Sequence, residues 1–411
     1  MRPNLRHLHC FQEIARLGSL SAAARAVHLS QPAVTQAVAG LESFFETTLL
    51  SRRSDGVSLT PAGEVCRLRI ERALVQLRDA LQEITRATDV DHDGIMRLVR
   101  SSQLDALGAV VDAGTFSGAA RSLSLSQSTV HRSARELEDI LGLPLFEKTS
   151  FGVTPTREAE RLARRVRLAF GEISQAQMEI RAMEGAESGR TVIAALPLAR
   201  SYLVPAAILE FSPTHPEHRV EIIDGTYSSL LAGLRAGESD VLIGALRNPP
   251  PASDVVQEHL FDDPLAIVAR AHHPLAGRRP TVASLRRCQW IAPRAGSPLR
   301  AHFDALLASR GMEIPVPSIE CNSLGAARAF LLESDRLMLL SAHQIHYEME
   351  AGLLVALPHP AGDVVRPIGL TFRREWRPTA VQELLLGVLR RVARAAAASH
   401  ERGGRQPAAN S

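Results

Sequence analysis

The chain has 411 residues, 45% hydrophobic and 22% charged, with a formal net charge of +3. At about 100–200 residues per domain this is material for two to four domains with real cores, which excludes disorder throughout. There is no uninterrupted apolar run near the ~18 residues of a membrane span, the segment MRPNLRHLHCFQEIARLG lacks a secretory leader's apolar stretch, and Cys10, Cys66, Cys288 and Cys321 lie far apart, so a cytoplasmic chain with no membrane partner is expected.

In chain order, the first feature is an internal repeat. Leu5–Glu64 realigns without a gap on Ser101–Glu160 at a constant offset of 96 positions. Gly18-Ser19-Leu20-Ser21 answers Gly114-Thr115-Phe116-Ser117, and Leu29-Ser30-Gln31 answers Leu125-Ser126-Gln127. Two copies are too few for a solenoid, so they predict two similar small domains.

Each copy predicts a helix-turn-helix. A short alanine-rich helix (Ser21–Ala26 in copy one) is followed by a turn at Val27-His28-Leu29, and then by a second helix capped by Ser30 with Pro32 in its first turn. Val34, Val38 and Leu41 recur on one face and point inward, leaving Gln31, Thr35 and Gln36 outside. In copy two Val130, Ala134 and Leu137 face in, while Gln127, Ser128, His131, Arg132 and Arg135 face out. Side chains of these types, on the first turns of such a helix, can hydrogen-bond to base edges in a DNA major groove. A two-stranded wing comes next each time. In copy one it turns at Asp55-Gly56 and carries Arg52 and Arg53; in copy two it carries Lys148, the only lysine of the chain. These cations are placed for phosphate contact. Between Gln31 and Ser51 copy one has no basic residue, whereas copy two has Arg132 and Arg135, so copy two is expected to be the stronger reader.

Both copies run into long helices. Ile70, Leu74, Leu77, Leu81 and Ile84 repeat at 4-3 spacing, as do Leu162, Val166, Ala169, Ile173, Ala176, Ile180 and Met183. Such seams suit helix pairing, including a coiled-coil dimer, or packing on the chain's own domain. Gly94 is expected to break the chain before copy two, and Gly185 and Gly189 to release it into the next domain.

From Arg190 the pattern becomes βαβαβ: strands at Thr191–Leu196, His218–Asp224 and Asp240–Leu246, with helices at Leu203–Phe211 and Thr226–Ala236 between them. A second set begins at Leu265–Arg270 and passes through Trp290-Ile291-Ala292, a helix at Leu299–Arg310, Ile319-Glu320-Cys321, a helix at Gly325–Leu332 and Leu337–Leu340. Ile368–Phe372 returns as a strand before a helix at Thr379–Ala398. Two α/β lobes with two chain crossings are expected. A cleft beyond the carboxyl ends of the strands is the default ligand site. Its expected lining is Pro197, Leu198, Arg200, Ser201, Gly225, Thr226, Tyr227, Leu246 and Arg247 from one lobe, and Arg294, Gly296, Ser297, Asn322, Ser323 and Ser341 from the other. Helix N-termini there favour anionic groups. No GxGxxG, GxxxxGK[ST], HExxH or GxSxG is present, and His7-Leu8-His9 and His272-His273 lack partners at metal spacing. No catalytic residue, cofactor or metal is therefore expected.

Taken in order, Ser19-Leu20-Ser21-Ala22-Ala23-Ala24, Ser30-Gln31-Pro32-Ala33-Val34-Thr35, Leu59-Thr60-Pro61-Ala62-Gly63 and His273-Pro274-Leu275-Ala276 resemble a LysR-type transcriptional regulator. Ala195–Ser201, Ile243–Arg247 and Leu260–Leu265 are similar to a subgroup named for a galactose-binding-protein regulator. The resemblance implies a periplasmic-binding-protein-like effector domain, a small-molecule effector (an anionic or sugar-derived metabolite), and dimers or tetramers on imperfect inverted repeats of double-stranded DNA. RNA polymerase is a further partner in such a role. The chain departs from the pattern in carrying two DNA-binding modules. The expected fold is α+β multidomain: two winged helix-turn-helix domains (1–60 and 95–157) with long linker helices (61–94 and 158–188), then a two-lobed periplasmic-binding-protein-like α/β effector domain (189–398). Lobe I spans 189–264 and 366–398, lobe II 265–365, and a tail at 399–411 is expected to be disordered. The competing reading is a ligand-insensitive DNA-bridging protein whose α/β domain serves only assembly.

Overall fold

The computed structural model describes residues 2–53, 56–85, 91–150, 152–185, 189–295, 297–308, 318–358 and 364–403. The chain divides into two compact units, Met1–Gly189 and Arg190–Ser411.

In the first unit, copy one comprises α1 (Leu5–Leu17), α2 (Leu20–Ala26), α3 (Gln31–Phe45), strands β1 (Leu50–Arg53) and β2 (Gly56–Leu59), and α4 (Pro61–Ile84). A short α5 (His92–Leu98) precedes copy two: α6 (Ser101–Ala113), α7 (Phe116–Leu123), α8 (Gln127–Leu141), β3 (Phe146–Thr149), β4 (Gly152–Pro155) and α9 (Arg157–Met183). Gly94 does not break the chain. It lies in the first turn of α5, where its N–H donates to the Asp91 carboxylate at 2.8 Å, so a local cap outweighs glycine's weak helix propensity.

The repeat holds at the level of single hydrogen bonds. Ser19 caps α2 and Thr115 caps α7; Ser30 caps α3 and Ser126 caps α8; Thr60 caps α4 and Thr156 caps α9. Glu42 accepts from the Leu49 N–H at 2.8 Å, and Glu138 from the Leu145 N–H at 2.8 Å, so each recognition helix is tied to its wing by the same carboxylate. The strands of each wing pair antiparallel. At the wing's return, Gly56 (φ +149°) and Gly152 (φ +147°) adopt a conformation that needs glycine, and there Val57 and Val153 donate to the carbonyls of Gly18 and Gly114.

The two seams face each other. α4 packs along α9 within the one chain, and one continuous apolar core runs from Leu5 and Leu8 through Ile70, Leu77 and Ile84 to Leu107, Leu137, Val166, Ile173 and Ile180. Of the two readings of the seams, pairing between the chain's own linker helices is the one observed.

The second unit is built on a nine-stranded sheet. Its strands are β5 (Gly189–Ala195), β6 (His218–Ile223), β7 (Val241–Ala245), β8 (Val255–Arg270), β9 (Gln289–Ala292), β10 (Ile319–Glu320), β11 (Arg336–Ser341), β12 (Leu354–Leu357) and β13 (Val365–Arg373). Spatial order is β10-β9-β11-β8-β13-β7-β5-β6, with β12 also on β8. The helices are α10 (Val204–Phe211, entered by a π-helical turn at Ala199–Leu203), α11 (Tyr227–Ala236), α12 (Val282–Arg286), α13 (Pro298–Ala308), α14 (Leu324–Leu332), α15 (His346–Glu350) and α16 (Ala380–Gly403). β5 runs parallel to β7, and β9 parallel to β10 and β11, as βαβ crossovers require. The crossing between lobes is one long strand rather than a fresh start at Leu265: residues 255–264 of β8 pair with β13, and residues 265–270 with β11 and β12. Helix α16 runs past the expected start of the tail, and residues 404–411 lie outside the described ones.

Candidate DNA-reading and effector sites

On copy one, Ser30, Gln31, Thr35 and Gln36 are exposed, while Val34, Ala37, Val38 and Leu41 of the same helix are buried. Ser30 is spent on the cap and the Thr35 hydroxyl donates back to the Gln31 carbonyl at 3.0 Å, which leaves the amides of Gln31 and Gln36 as the groups facing outward. On copy two, Gln127, Ser128, His131, Arg132 and Arg135 are all exposed. His131 packs edge-on against Phe116 (centroids 4.9 Å apart), and Arg135 donates to Glu138 at 2.9 Å. Arg52 and Lys148 are exposed on β1 and β3, and Arg53 ends β1. The turn residue Asp55 lies outside the described residues.

The expected effector residues sit at the strand ends of the two lobes. In lobe I, Pro197 and Leu198 come after β5, and Leu198 is buried in the lobe's core. Arg200 reaches from the end of β5 to Asp224 at the end of β6 in an ion pair. The Ser201 hydroxyl donates to the Pro197 carbonyl at 2.8 Å. Thr226 caps α11, and its hydroxyl accepts from Ser229 N–H. The Arg247 guanidinium lies 4.4 Å from the Tyr227 ring centroid, and burial pushes the Tyr227 phenol up against the opposing pull of that cation. Arg200, Tyr227 and Arg247 thus lie just beyond three neighbouring strands. In lobe II, Ser297 accepts from the Arg300 N–H at 3.1 Å and Ser323 caps α14, with Asn322 exposed beside it. Gly296 lies outside the described residues.

Ser341 has another partner. It is buried, and its hydroxyl donates to Asp263 at 2.5 Å. Asp263, also fully buried, accepts in addition from His343 Nδ1 at 3.0 Å and from Arg366 Nε at 2.9 Å. A buried carboxylate is tolerable only with such a complete donor set. These groups come from β8, β11, the turn after it and β13, which is where the chain passes between lobes. Next to them Tyr202 of lobe I packs on His346 of lobe II, with centroids 4.3 Å apart. Sequence reasoning missed Asp263, Arg366, His343 and Tyr202. The only signal for Asp263 was its place in Leu260–Leu265, a stretch that carries a family resemblance and where no strand was expected.

Comparison with known proteins bears on both units. The model described as "Bacterial regulatory helix-turn-helix protein, lysR family" matches residues 5–64 and again 101–160, and that described as "LysR substrate binding domain" matches residues 184–394. The HTH-type transcriptional regulator GalR of Pseudomonas putida is 33% identical over 390 residues, which cover 95% of this chain and 97% of that protein. Among solved structures, a full-length OxyR variant from Pseudomonas aeruginosa aligns with a TM-score of 0.52 at 21% identity, covering 71% of this chain and 94% of its own. CbnR aligns with a TM-score of 0.50 at 20% identity, covering 71% and 98%. These two structures support the fold.

Proposed function

The chain belongs to the LysR family of bacterial transcriptional regulators, and from that premise we propose how its two units divide the work. Residues 1–60 and 95–157 are the reading heads. Gln31, Gln36, Gln127, Ser128, His131, Arg132 and Arg135 face base edges, and Arg52, Arg53 and Lys148 face phosphates. Residues 189–398 are the sensor. A small anionic or sugar-derived metabolite binds beyond the strand ends, against Arg200, Ser201, Thr226, Tyr227 and Arg247 on one side and Ser297 and Asn322 on the other. Pro197 and Leu198 form the apolar floor, and Ser341 acts through Asp263 by fixing the crossing strands. The chain works in the cytoplasm, in assemblies of several chains, with RNA polymerase as its protein partner and no catalytic role.

The observation that carries this reading is the exposed polar first turns of α3 and α8, on helices whose opposite faces are buried in apolar cores. The ligand alters DNA binding only by its differential affinity for two arrangements of the protein. The test is fluorescence anisotropy of promoter fragments against a panel of sugar acids and other small carboxylates, alongside thermal melting. A ligand that raises the melting temperature and changes DNA affinity or footprint supports the sensor. Specific DNA binding that no ligand alters would instead make the second unit an assembly module, and the absence of preference for any promoter sequence would remove the reading altogether.

A further inference from the structure

The pairing of α4 with α9 has the form of a two-fold dimer interface inside one chain. Arg69 on α4 donates to Glu172 at 2.7 Å, to Gln175 at 2.5 Å and to Glu179 at 2.5 Å, all on α9. Arg165 on α9 donates to Gln76 at 2.7 Å, ion-pairs with Glu83 and lies 3.9 Å from Asp79, all on α4. The repeat offset maps Arg69 onto Arg165, and residues 76, 79 and 83 onto 172, 175 and 179. Each arginine therefore reaches the same three positions of the opposite copy. Such reciprocity, in which i meets j and j meets i, is the mark of an isologous interface between two subunits. Here one chain supplies both sides, so each chain carries two heads held by one core.

Apart from which of these seam positions carry acids, the two-fold symmetry is broken in two places. The first is the outward face of the reading helices, where Pro32, Thr35, Gln36 and Ala39 stand opposite Ser128, His131, Arg132 and Arg135. The second is the segment leading into each copy. Arg2 pairs with Asp105 at 2.8 Å and its guanidinium covers the Phe170 ring at 4.2 Å, and Ser101 donates to the Pro3 carbonyl at 2.6 Å. At the position equivalent to Arg2, copy two has Leu98, which is exposed. The arm of copy one thus grips copy two through Arg2 and Pro3, whereas α5, which leads into copy two, meets copy one through different residues, with Arg78 on α4 lying 3.4 Å from Asp93.

Building on the proposed DNA-binding role, we infer that a single chain reads one non-palindromic site made of two unlike half-sites, and so sits on its promoter in one fixed orientation. An amide reading helix (Gln31, Gln36) suits adenine-bearing pairs, and an arginine-bearing one (Arg132) suits guanine. A palindrome would set the same bases under both and match only one. With both reading helices on one rigid core, the half-sites lie about one helical turn apart, or a multiple of it. Association of chains into larger assemblies then uses surfaces other than α4 and α9, and repeats this asymmetric site.

Selection from a randomised duplex pool, with the bound fraction sequenced, tests this on the full chain. Wild type should enrich two half-sites of different sequence in fixed relative orientation. Arg132→Ala should relax base preference at one position of one half and leave the other half unchanged, with about a 5- to 150-fold loss of affinity for the full site. Gln36→Ala should relax preference at one position of the opposite half. Both side chains are exposed, so neither substitution should disturb folding. A palindromic motif, a motif with only one half, or loss of preference in both halves from either substitution overturns the inference while leaving DNA binding intact. Enrichment of no sequence at all overturns sequence-specific binding itself, and this inference with it.

Discussion

The two heads of the first unit have the same backbone and different surfaces. Every capping hydroxyl, the carboxylate that ties reading helix to wing and the glycine at the wing's return recur at the repeat offset. The divergence lies in the exposed turns of α3 and α8, in the segments leading into each copy, and in which positions along the α4–α9 seam carry acids. Residues that hold a fold are fixed by their neighbours inside the same copy. Residues that face outward, or face the other copy, are free to specialise once both copies sit in one chain.

The largest effect expected from breaking this pairing is at the seam. Arg69 is only 5% exposed, and burial, which alone would lower its pKa, is outweighed by the bonds to Glu179 and Glu172, which hold it raised. Arg69→Met should cost about 3–5 kcal/mol in urea unfolding, because it takes a buried cation from Glu179 and leaves Glu172 with Arg72. Arg165 is more exposed, and one of its two acids, Asp79, lies 3.9 Å away, so Arg165→Met should cost about 1–2 kcal/mol. Equal losses would mean that the seam's halves are energetically equivalent.

Next in size is Arg132→Gln, which gives head two the residue that head one carries at the equivalent position. Affinity for the preferred duplex should fall by about 1–3 kcal/mol in anisotropy titrations, with the loss confined to substitutions in one half of the site. If instead random DNA suffers equally, and the slope of log K against log salt shrinks by about 0.9, Arg132 is a phosphate contact.

The caps sharpen the opposite side of the comparison. Ser30→Ala and Ser126→Ala should each cost about 1 kcal/mol, with Ser126→Ala the larger, since its hydroxyl accepts the N–H at 3.1 Å against 3.4 Å and also bonds to the hydroxyls of Ser128 and Thr129. Melting of the two variants side by side would expose any difference.

The smallest expected effect is in pH dependence, where the heads differ in sign. Burial lowers the pKa of His9 on α1 below its ordinary 6.5, with Arg78 adding to the effect. Its repeat counterpart Asp105 on α6 is raised above 3.8 by burial, against the pull of Arg2. Folded His9 binds a proton less readily than the unfolded chain does, so its contribution is present above about pH 6.5 and is lost as pH falls below it. Folded Asp105 binds one more readily, so its cost is relieved as pH falls toward about 4. His9→Gln should flatten the stability loss between about pH 7 and 5. A stability curve unchanged by that substitution would show that His9 contributes nothing there.

The parts that could be read in advance are those written in local spacing. Val34, Val38 and Leu41 behind a capping serine, or Ile70, Leu74 and Leu77 at 4-3 spacing, state a helix and its buried face with no further information. The effector lobes were legible as alternating strands and helices. The hinge was not, because Asp263 lies in a stretch where no strand was expected and its three donors come from β11, the turn beyond it and β13. Gly94 misled for a related reason: its capping partner Asp91 outweighs its intrinsic preference.

Local order along the chain was enough to establish two reading heads, two long helices with apolar stripes and a two-lobed α/β body, because helix period, caps and strand alternation act over a few residues. It could not say what the stripes would meet, since an apolar stripe specifies only that it must be covered. The tertiary structure decided that α4 and α9 cover each other, through arginines and carboxylates far apart in the chain, and that one buried aspartate joins the crossing strands. Both depend on charges finding partners in space, where burial makes an unpaired one too costly to keep.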